Sequence, residues 1–469
     1  MSVILANLYF SHVRDENRYV AIDRSNDGYP HGIYNPLNLN IRATRDSINY
    51  LIDANPSYVE VRGGNFDQER GVGYTTRFRA SERLIGELED SLFREEHVEE
   101  LATRGIIRNT LNNNPNNLAL AELFQNHNLP LVRLRGEAAA QGQGREFIHF
   151  EQTDETRRME GNLRRFNQFI ADHHWLDLLI PDQEFQALSR RNEDERDEFG
   201  DIKDHRSDLD LLFRNQLYRV FNNGRFNEGG RFYGGWWQGV PSHLRRYLTI
   251  NWYPTAELDY SNMQIAMLYA DQRLALEGDA YSIEGIPATH RKLIKRTVLK
   301  IINAPGQIRA PRRVELPEGW TWRQIIDAVR EKHAPIARYF GTGEGIRLQK
   351  RDADIAETVM LRLMDENILA LPIHDSFIVE DGRQNRLRQV MVESYHQHLG
   401  QDIPVDADET WVETLPADAP LLDELGVRDL EDWLSETEQG PEYANYRQRR
   451  RSFLQLKGEA WGHEHHFHS

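Results

Sequence analysis

The sequence predicts an α+β fold for this chain of 469 residues, and three observations carry that reading. Tyr58-Val59-Glu60-Val61 alternates polar and apolar residues as a strand does. Two longer stretches, Ala256-Glu257-Leu258-Asp259-Tyr260-Ser261 and Leu371-Pro372-Ile373-His374-Asp375-Ser376-Phe377-Ile378-Val379-Glu380, read as buried strands, the second with an aspartate at a hairpin tip. Apolar residues return at helical spacing elsewhere, at Leu163, Phe166, Phe169 and Ile170 and again through His290 to Ile302.

Composition sets the bounds. The length predicts roughly two to four domains. With 9 Trp, 18 Tyr and 19 Phe the chain can bury a core and is no disordered polymer. Cysteine is absent, which excludes disulfides, thiolate catalysis and cysteine-based zinc sites and agrees with a reducing, cytoplasmic setting. The short apolar run Val3 to Phe10 has no basic region before it and no small-residue cleavage site, so neither a signal peptide nor a membrane span is expected. The net charge of −17 runs against phosphate binding. Much of it sits in one place, since Asp402 to Glu442 holds 14 acidic residues against Arg428 alone. This acidic segment reads as a solvated surface or as a docking site for a protein partner.

Along the chain, residues 1–150 read as an N-terminal mixed α/β domain of unknown role. Strands are expected at Tyr58–Val61 and Tyr74–Phe78, with a helix opening at Ser81. Asn109 to Asn117 and Ala138 to Gly144 read as loops, and Arg190 to Asp210, charged with both signs, as a solvated segment. Residues 151–250 read as a helical region, with helix from Glu155 to Phe221, followed by a Gly-, Arg- and aromatic-rich element from Asn222 to Gly239. Glycine lets a backbone approach a ligand, arginine forks onto phosphate and aromatic rings stack on bases. The same composition suits an aromatic-rich turn inside a core. Residues 251–405 carry the candidate chemistry. Residues 406–469 are the acidic segment and a tail with Arg447-Gln448-Arg449-Arg450-Arg451 and a His-rich end.

Phosphoryl transfer needs negative charge neutralised on the triphosphate and on the entering and leaving oxygens. Paired divalent ions held by carboxylates do this, and magnesium prefers hard oxygen ligands while keeping several waters. Asp259 and Asp375 each follow an apolar strand-like run and would emerge at a sheet edge; the carbonyl of Tyr260 offers a further oxygen. Ser261 with Gln264 has capping-box spacing, which predicts a helix start immediately after Asp259. Between the two aspartates, Arg291 and Lys295 stand four apart on one helix face, where they can grip β- and γ-phosphates; a lysine there can also protonate the departing pyrophosphate.

These residues resemble the superfamily of family A DNA polymerases and phage-type single-subunit RNA polymerases. Asp259-Tyr260-Ser261 looks like the first palm motif, Arg291-x-x-x-Lys295 like the fingers motif, and His374-Asp375-Ser376-Phe377 like the second palm motif. Gly278-Asp279-Ala280-Tyr281 is similar to the short Asp-x-Tyr element between palm and fingers, and Gly230-Arg231-Phe232-Tyr233 to the Gly-Arg element before the palm. The resemblance covers roughly residues 155–405 and implies a right hand of thumb, antiparallel palm sheet and reduced fingers (about 272–355). It implies two magnesium ions, or manganese in their place, on Asp259, Tyr260 and Asp375. It implies Tyr260, Gln264, Arg291, Lys295 and Asn303 around an incoming nucleoside triphosphate, and Arg231, Tyr233 and His374 on a nucleic-acid primer–template. Asn303 stands where both branches usually carry tyrosine, and no carboxylate follows Asp375. Gln264 is large where the DNA enzymes place a glutamate against the 2′-hydroxyl, which favours a DNA product, whereas Ser376-Phe377 is closer to the RNA branch. The other readings are a single-subunit RNA polymerase or primase, a catalytically inactive nucleic-acid-binding protein and, least supported, a metal-dependent nuclease.

Overall fold

The structure is a computed structural model. It describes residues 39–92, 130–137, 147–189, 215–310, 315–407 and 440–447, apart from 64–65, 68–71, 74–75, 174 and 307, together with Arg450 and a few positions before 22. The Asn-rich and Gly/Gln-rich connections, the charged run 190–210, nearly all of the acidic segment and the His-rich end lie outside the described residues. The chain divides into two compact units, one of Met1–Leu131, His149–Glu151 and Arg447–Ser469, the other of Val132–Ile148 and Gln152–Tyr446.

In the first unit, β1 (Val20–Ala21), β5 (Arg77–Ala80) and β2 (Val59–Arg62) form an antiparallel sheet in that order, and β3 (Phe66–Asp67) pairs with β4 (Val72–Gly73). Alternation does the sorting, because successive side chains of a strand face opposite ways. Phe78 and Ala80 are buried, and Val59 joins them. Helix α1 (Ile41–Asp53), capped by the Asn40 side chain on the amide of Ala43, adds Ile48 and Leu51 to that core. Helix α2 (Glu82–Leu92) adds Leu84, Ile85 and Leu88.

The second unit opens with β6 (Val132–Leu134), which runs parallel to β8 (Tyr218–Asn222); β8 turns through Asn223-Gly224 into the antiparallel β9 (Arg225–Tyr233). The expectation of helix from Glu155 to Phe221 is corrected. Helix α3 (Asp154–His173) is followed by strand β7 (Leu176–Leu178), helix α4 (Asp182–Ser189) and then β8. Trp175, Leu176, Leu178, Leu179 and Ile180 are all buried, as is Asp177 among them, and such a mostly apolar run suits a strand covered on both faces as well as it suits a helix. The larger sheet has the antiparallel order β12 (Leu371–Ile373), β13 (Ser376–Glu380), β11 (Tyr253–Tyr260), β10 (Leu248–Ile250), β7, with β14 (Val405–Ala407) also on β11. Among the described residues the unit also carries a one-turn helix at Ser242–Arg245 and five longer ones: α5 (Met263–Asp271), α6 (Arg291–Asn303), α7 (Trp322–Lys332), α8 (Gly345–Asp365) and α9 (Gln384–Leu399).

The Gly-, Arg- and aromatic-rich element resolves as core rather than as an open contact surface. Trp236, Trp237 and Phe232 are buried. A Cβ on Gly235 would lie 2.4 Å from the Trp237 ring and one on Gly230 2.6 Å from that of Phe221, so these glycines make room for the protein's own rings. Trp237 Nε1 and Gln238 Nε2 both donate to the Pro372 carbonyl at 3.1 Å, which fixes the β12–β13 hairpin to this turn.

Helix α8 packs on β9 and supplies the charges that neutralise Arg219 of β8 and Arg231 of β9. Arg219 on β8 has no exposed surface; its Nε donates to the Gly230 carbonyl (2.7 Å), Nη1 to Glu357 (3.0 Å) and Nη2 to Asp354 (3.0 Å). Lys350 also pairs with Asp354, and Asn162 of α3 donates to Glu357. A buried ion pair costs much desolvation, and breaking one strands the partner charge. Arg219→Met is therefore expected to lower unfolding free energy by about 3–5 kcal/mol, read from denaturant midpoints; a loss within experimental error would show that the pair contributes nothing.

Candidate active site

Asp259 is the penultimate residue of β11, and Asp375 sits in the two-residue turn between β12 and β13, where Ile373 pairs with Ser376. His374 opens the turn at φ 55°, in the left-handed region, so the hairpin reverses within two residues. On the other side of β13, Asp259 pairs with Ser376, and the Tyr260 amide donates to the Asp375 carbonyl at 3.2 Å. Two aspartates more than a hundred positions apart thus occupy neighbouring backbone positions at one end of the sheet. Beneath the hairpin, Ser376 Oγ donates to Glu257 Oε1 (2.5 Å), and Arg245 pairs with Glu257 Oε2 (2.9 Å).

The cationic helix faces this pair through Tyr281. Its ring lies beneath two cations, with Arg291 Cζ 5.2 Å and Lys295 Nζ 5.8 Å from the centroid. Burial pushes the Tyr281 hydroxyl up to about 12; Arg291 opposes this, while the charges of Asp375, Asp279 and Asp259 add to it. Asp279 grips Arg291 at both ends of the fork, accepting from Nε at 2.7 Å and from Nη2 at 2.9 Å. That bond holds the Asp279 carboxyl below the usual range and raises Arg291.

On the β9 side, Arg231 forks onto Asp352 of α8 at 2.7 and 2.9 Å. Burial works against the Arg231 charge, but Asp352 and Asp375 more than offset it. Asp352 is buried, and that burial raises its carboxyl to about 7; Arg231 opposes the shift and the charge of Asp375 reinforces it. His374 is lowered, first by desolvation and then by Arg231 and Arg245, against the pull of Asp375.

The structure brings Asp259, Asp375, the Tyr260 backbone and His374 to one sheet end, with Arg231 in the field of Asp375, while Arg291 and Lys295 are linked to that end through Tyr281. Gln264, in the first turn of α5, accepts from Asn303 Nδ2 at 2.9 Å, so these two expected nucleotide-site residues touch each other. Three expectations need correcting. Ser261 does not cap α5: the N-cap is Asn262, without a side-chain cap, and Ser261 Oγ donates to Asp406 on β14, which lies opposite Asp259. The edge strand competes for the hydroxyl and leaves Gln264 free of capping duty. The Tyr260 ring is buried, with its hydroxyl on the Met391 carbonyl, so only its backbone faces the site. Arg231 is bound to Asp352 rather than held out for a ligand. Tyr233 stacks on Tyr218, ring centroids 6.3 Å apart. Sequence reasoning missed Asp352, whose signal was a carboxylate within the otherwise apolar face Leu348, Ala353, Ile355, Ala356 and Val359 of α8.

Among the described residues, no three His, Asp or Glu side chains converge as a metal cluster, and no helix is long and apolar enough to cross a membrane. The chain matches no protein-family model and no curated protein. Among solved structures it is similar to the POL domain of Pol1 from M. smegmatis, in a complex with DNA primer-template and dNTP, with 13% identity and a TM-score of 0.27 over 55% of this chain and 65% of that one. A likeness of that size identifies no fold and carries no functional argument.

Asp352 and Glu380, the latter also raised to about 7 by burial, bind protons more tightly folded than unfolded. The stability these two groups contribute is therefore fully present below the ordinary carboxylate range and is lost as pH rises from about 4 to about 7. Denaturation midpoints across this window should show that decline in the wild type. In the Asp352→Asn, Glu380→Gln double variant it should flatten, whatever the absolute stability; an unchanged slope would place the protons elsewhere.

Proposed function

We propose that this chain is a template-directed nucleotidyltransferase, most consistent with DNA synthesis, built as a right hand. In this reading the sheet of β7 and β10–β14 is the palm, α6 and α7 belong to reduced fingers, and α3 to the thumb. The supporting observation is the adjacency of Asp259 and Asp375 at one sheet end, with Tyr281, Arg291 and Lys295 facing them.

Two carboxylates, one on β11 and one in the adjoining β12–β13 turn, offer hard oxygens in a donor set that suits magnesium, which keeps several of its waters. Asp259 and Asp375, with the Tyr260 carbonyl, would hold magnesium, or manganese in its place, which supplies charge neutralisation on the triphosphate and on the entering and leaving oxygens. Arg291, preset by Asp279, binds the β- and γ-phosphates of the incoming nucleotide. Lys295 adds charge and gives a proton to the departing pyrophosphate oxygen. Gln264 and Asn303 take the sugar and base side. Tyr233 and His374 take the primer–template side; Arg231, bound to Asp352, keeps its charge against burial and lends that charge to this side without forking onto the ligand.

Asp375→Asn is expected to lower magnesium-dependent incorporation by at least about a hundredfold in primer extension with labelled nucleotides; no difference between this variant and the wild type would leave a nucleic-acid-binding protein without catalysis. Gln264 does not cap its helix, so its bulk remains available against a 2′-hydroxyl. The same primed template supplied with dNTPs or with NTPs should be extended with the deoxynucleotides. Preference for ribonucleotides, or synthesis on unprimed single strands, would instead assign an RNA polymerase or primase.

A further inference from the structure

Resting on that reading, we propose that His333 is a positioning residue for Arg291, acting through the Asp279–Tyr281 segment. His333 ends α7 and is fully buried. Its Nε2 lies 2.9 Å from the Ala280 carbonyl, and its Nδ1 lies 3.1 Å from the Tyr269 hydroxyl. A carbonyl can only accept, so Nε2 carries the proton, and neutral Nδ1 then accepts from Tyr269. Burial lowers the imidazole's affinity for a second proton, in keeping with this neutral form.

Ala280 is fully buried, and the residues on either side of it both touch the cations. Asp279 forks onto Arg291, and Tyr281 lies beneath Arg291 and Lys295. The Tyr281 amide donates to Asp279 Oδ1 at 3.0 Å, which closes a short turn. That turn contributes its own local bonds, and His333 fixes the carbonyl at its centre. Tyr269 belongs to α5, the helix that follows Asp259. The chain Tyr269–His333–Ala280 therefore ties the helix behind one aspartate to the segment that orients the phosphate-binding arginine. The ring also packs edge-on against Tyr269 and Phe340, so shape and hydrogen bonding can be separated by substitution.

The test uses the full chain and two variants. His333→Phe keeps the ring and removes the donor; His333→Gln can return an amide donor to the Ala280 carbonyl. In primer extension, His333→Phe should raise KM for the incoming triphosphate about tenfold while kcat changes little, and His333→Gln should recover most of that loss. A fall in kcat alone, or no change in KM, would overturn the proposal. A second readout needs no activity. In protein labelled with 15N-arginine, the Nε–H of Arg291, assigned by its loss in Arg291→Lys, should be protected from solvent exchange by Asp279. That protection should fall in His333→Phe and persist in His333→Gln. Unchanged protection in His333→Phe sinks the positioning role even if incorporation is robust. Lost protection in a chain that incorporates nothing would keep the role and refute the polymerase reading.

Discussion

The register of one strand pair governs the candidate site. Asp259 faces Ser376 across the β11–β13 ladder, and the Tyr260 amide reaches the carbonyl of Asp375. Side chains on a strand alternate with a period of two, so a one-residue slip would send every member of the set to the opposite face. The protein guards this register from several directions. Buried Leu258 and Phe377 stand opposite each other within the ladder. Glu257 receives Ser376 on one oxygen and Arg245 on the other. Trp237 and Gln238 hold the carbonyl of Pro372 from outside the hairpin. An apolar sheet alone would specify which face is inside; the polar contacts specify which residue meets which.

Around this frame, like charges are crowded and then balanced individually. Arg219 has Asp354 and Glu357, Arg231 has Asp352, and Arg291 has Asp279. The acidic partners of the first two lie on one helix at positions 352, 354 and 357. A single segment therefore serves both β8 and β9, and the position of α8 is specified by charge as well as by apolar packing. The desolvation of Asp352 is the visible cost of this arrangement, since its carboxyl gives up part of its acidity to sit against Arg231 near Asp375.

Much of this was legible in the residues. The two apolar runs ending in aspartate, the helix after Asp259 and the Arg291–Lys295 face all stand where the spacing puts them, because strand and helix periods are written in consecutive residues. What was lost depended on partners distant in the chain. Trp175 to Ile180 reads equally well as helix or strand, and only pairing with β10 makes it a strand. Ser261 has ideal capping spacing until Asp406, far along the sequence, takes its hydroxyl. The glycines at 230 and 235 invite a ligand on paper, yet the rings of Phe221 and Trp237 occupy that space. Arg231 reads as a free phosphate ligand until α8 arrives with a buried acid.

The burial of these ion pairs bears on how the molecule responds to its solvent. Mobile ions attenuate interactions between exposed charges within about 8–10 Å at ordinary ionic strength and reach buried pairs far less. Arg219 is fully enclosed, and Arg231 and Asp352 are nearly so, whereas Arg291 and Asp279 remain open to water. Added electrolyte will thus act on the surface cations and leave the internal framework nearly untouched. The buried framework and the exposed Arg291–Asp279 layer are electrostatically decoupled, so brine can loosen the outer pair while the inner pairs hold.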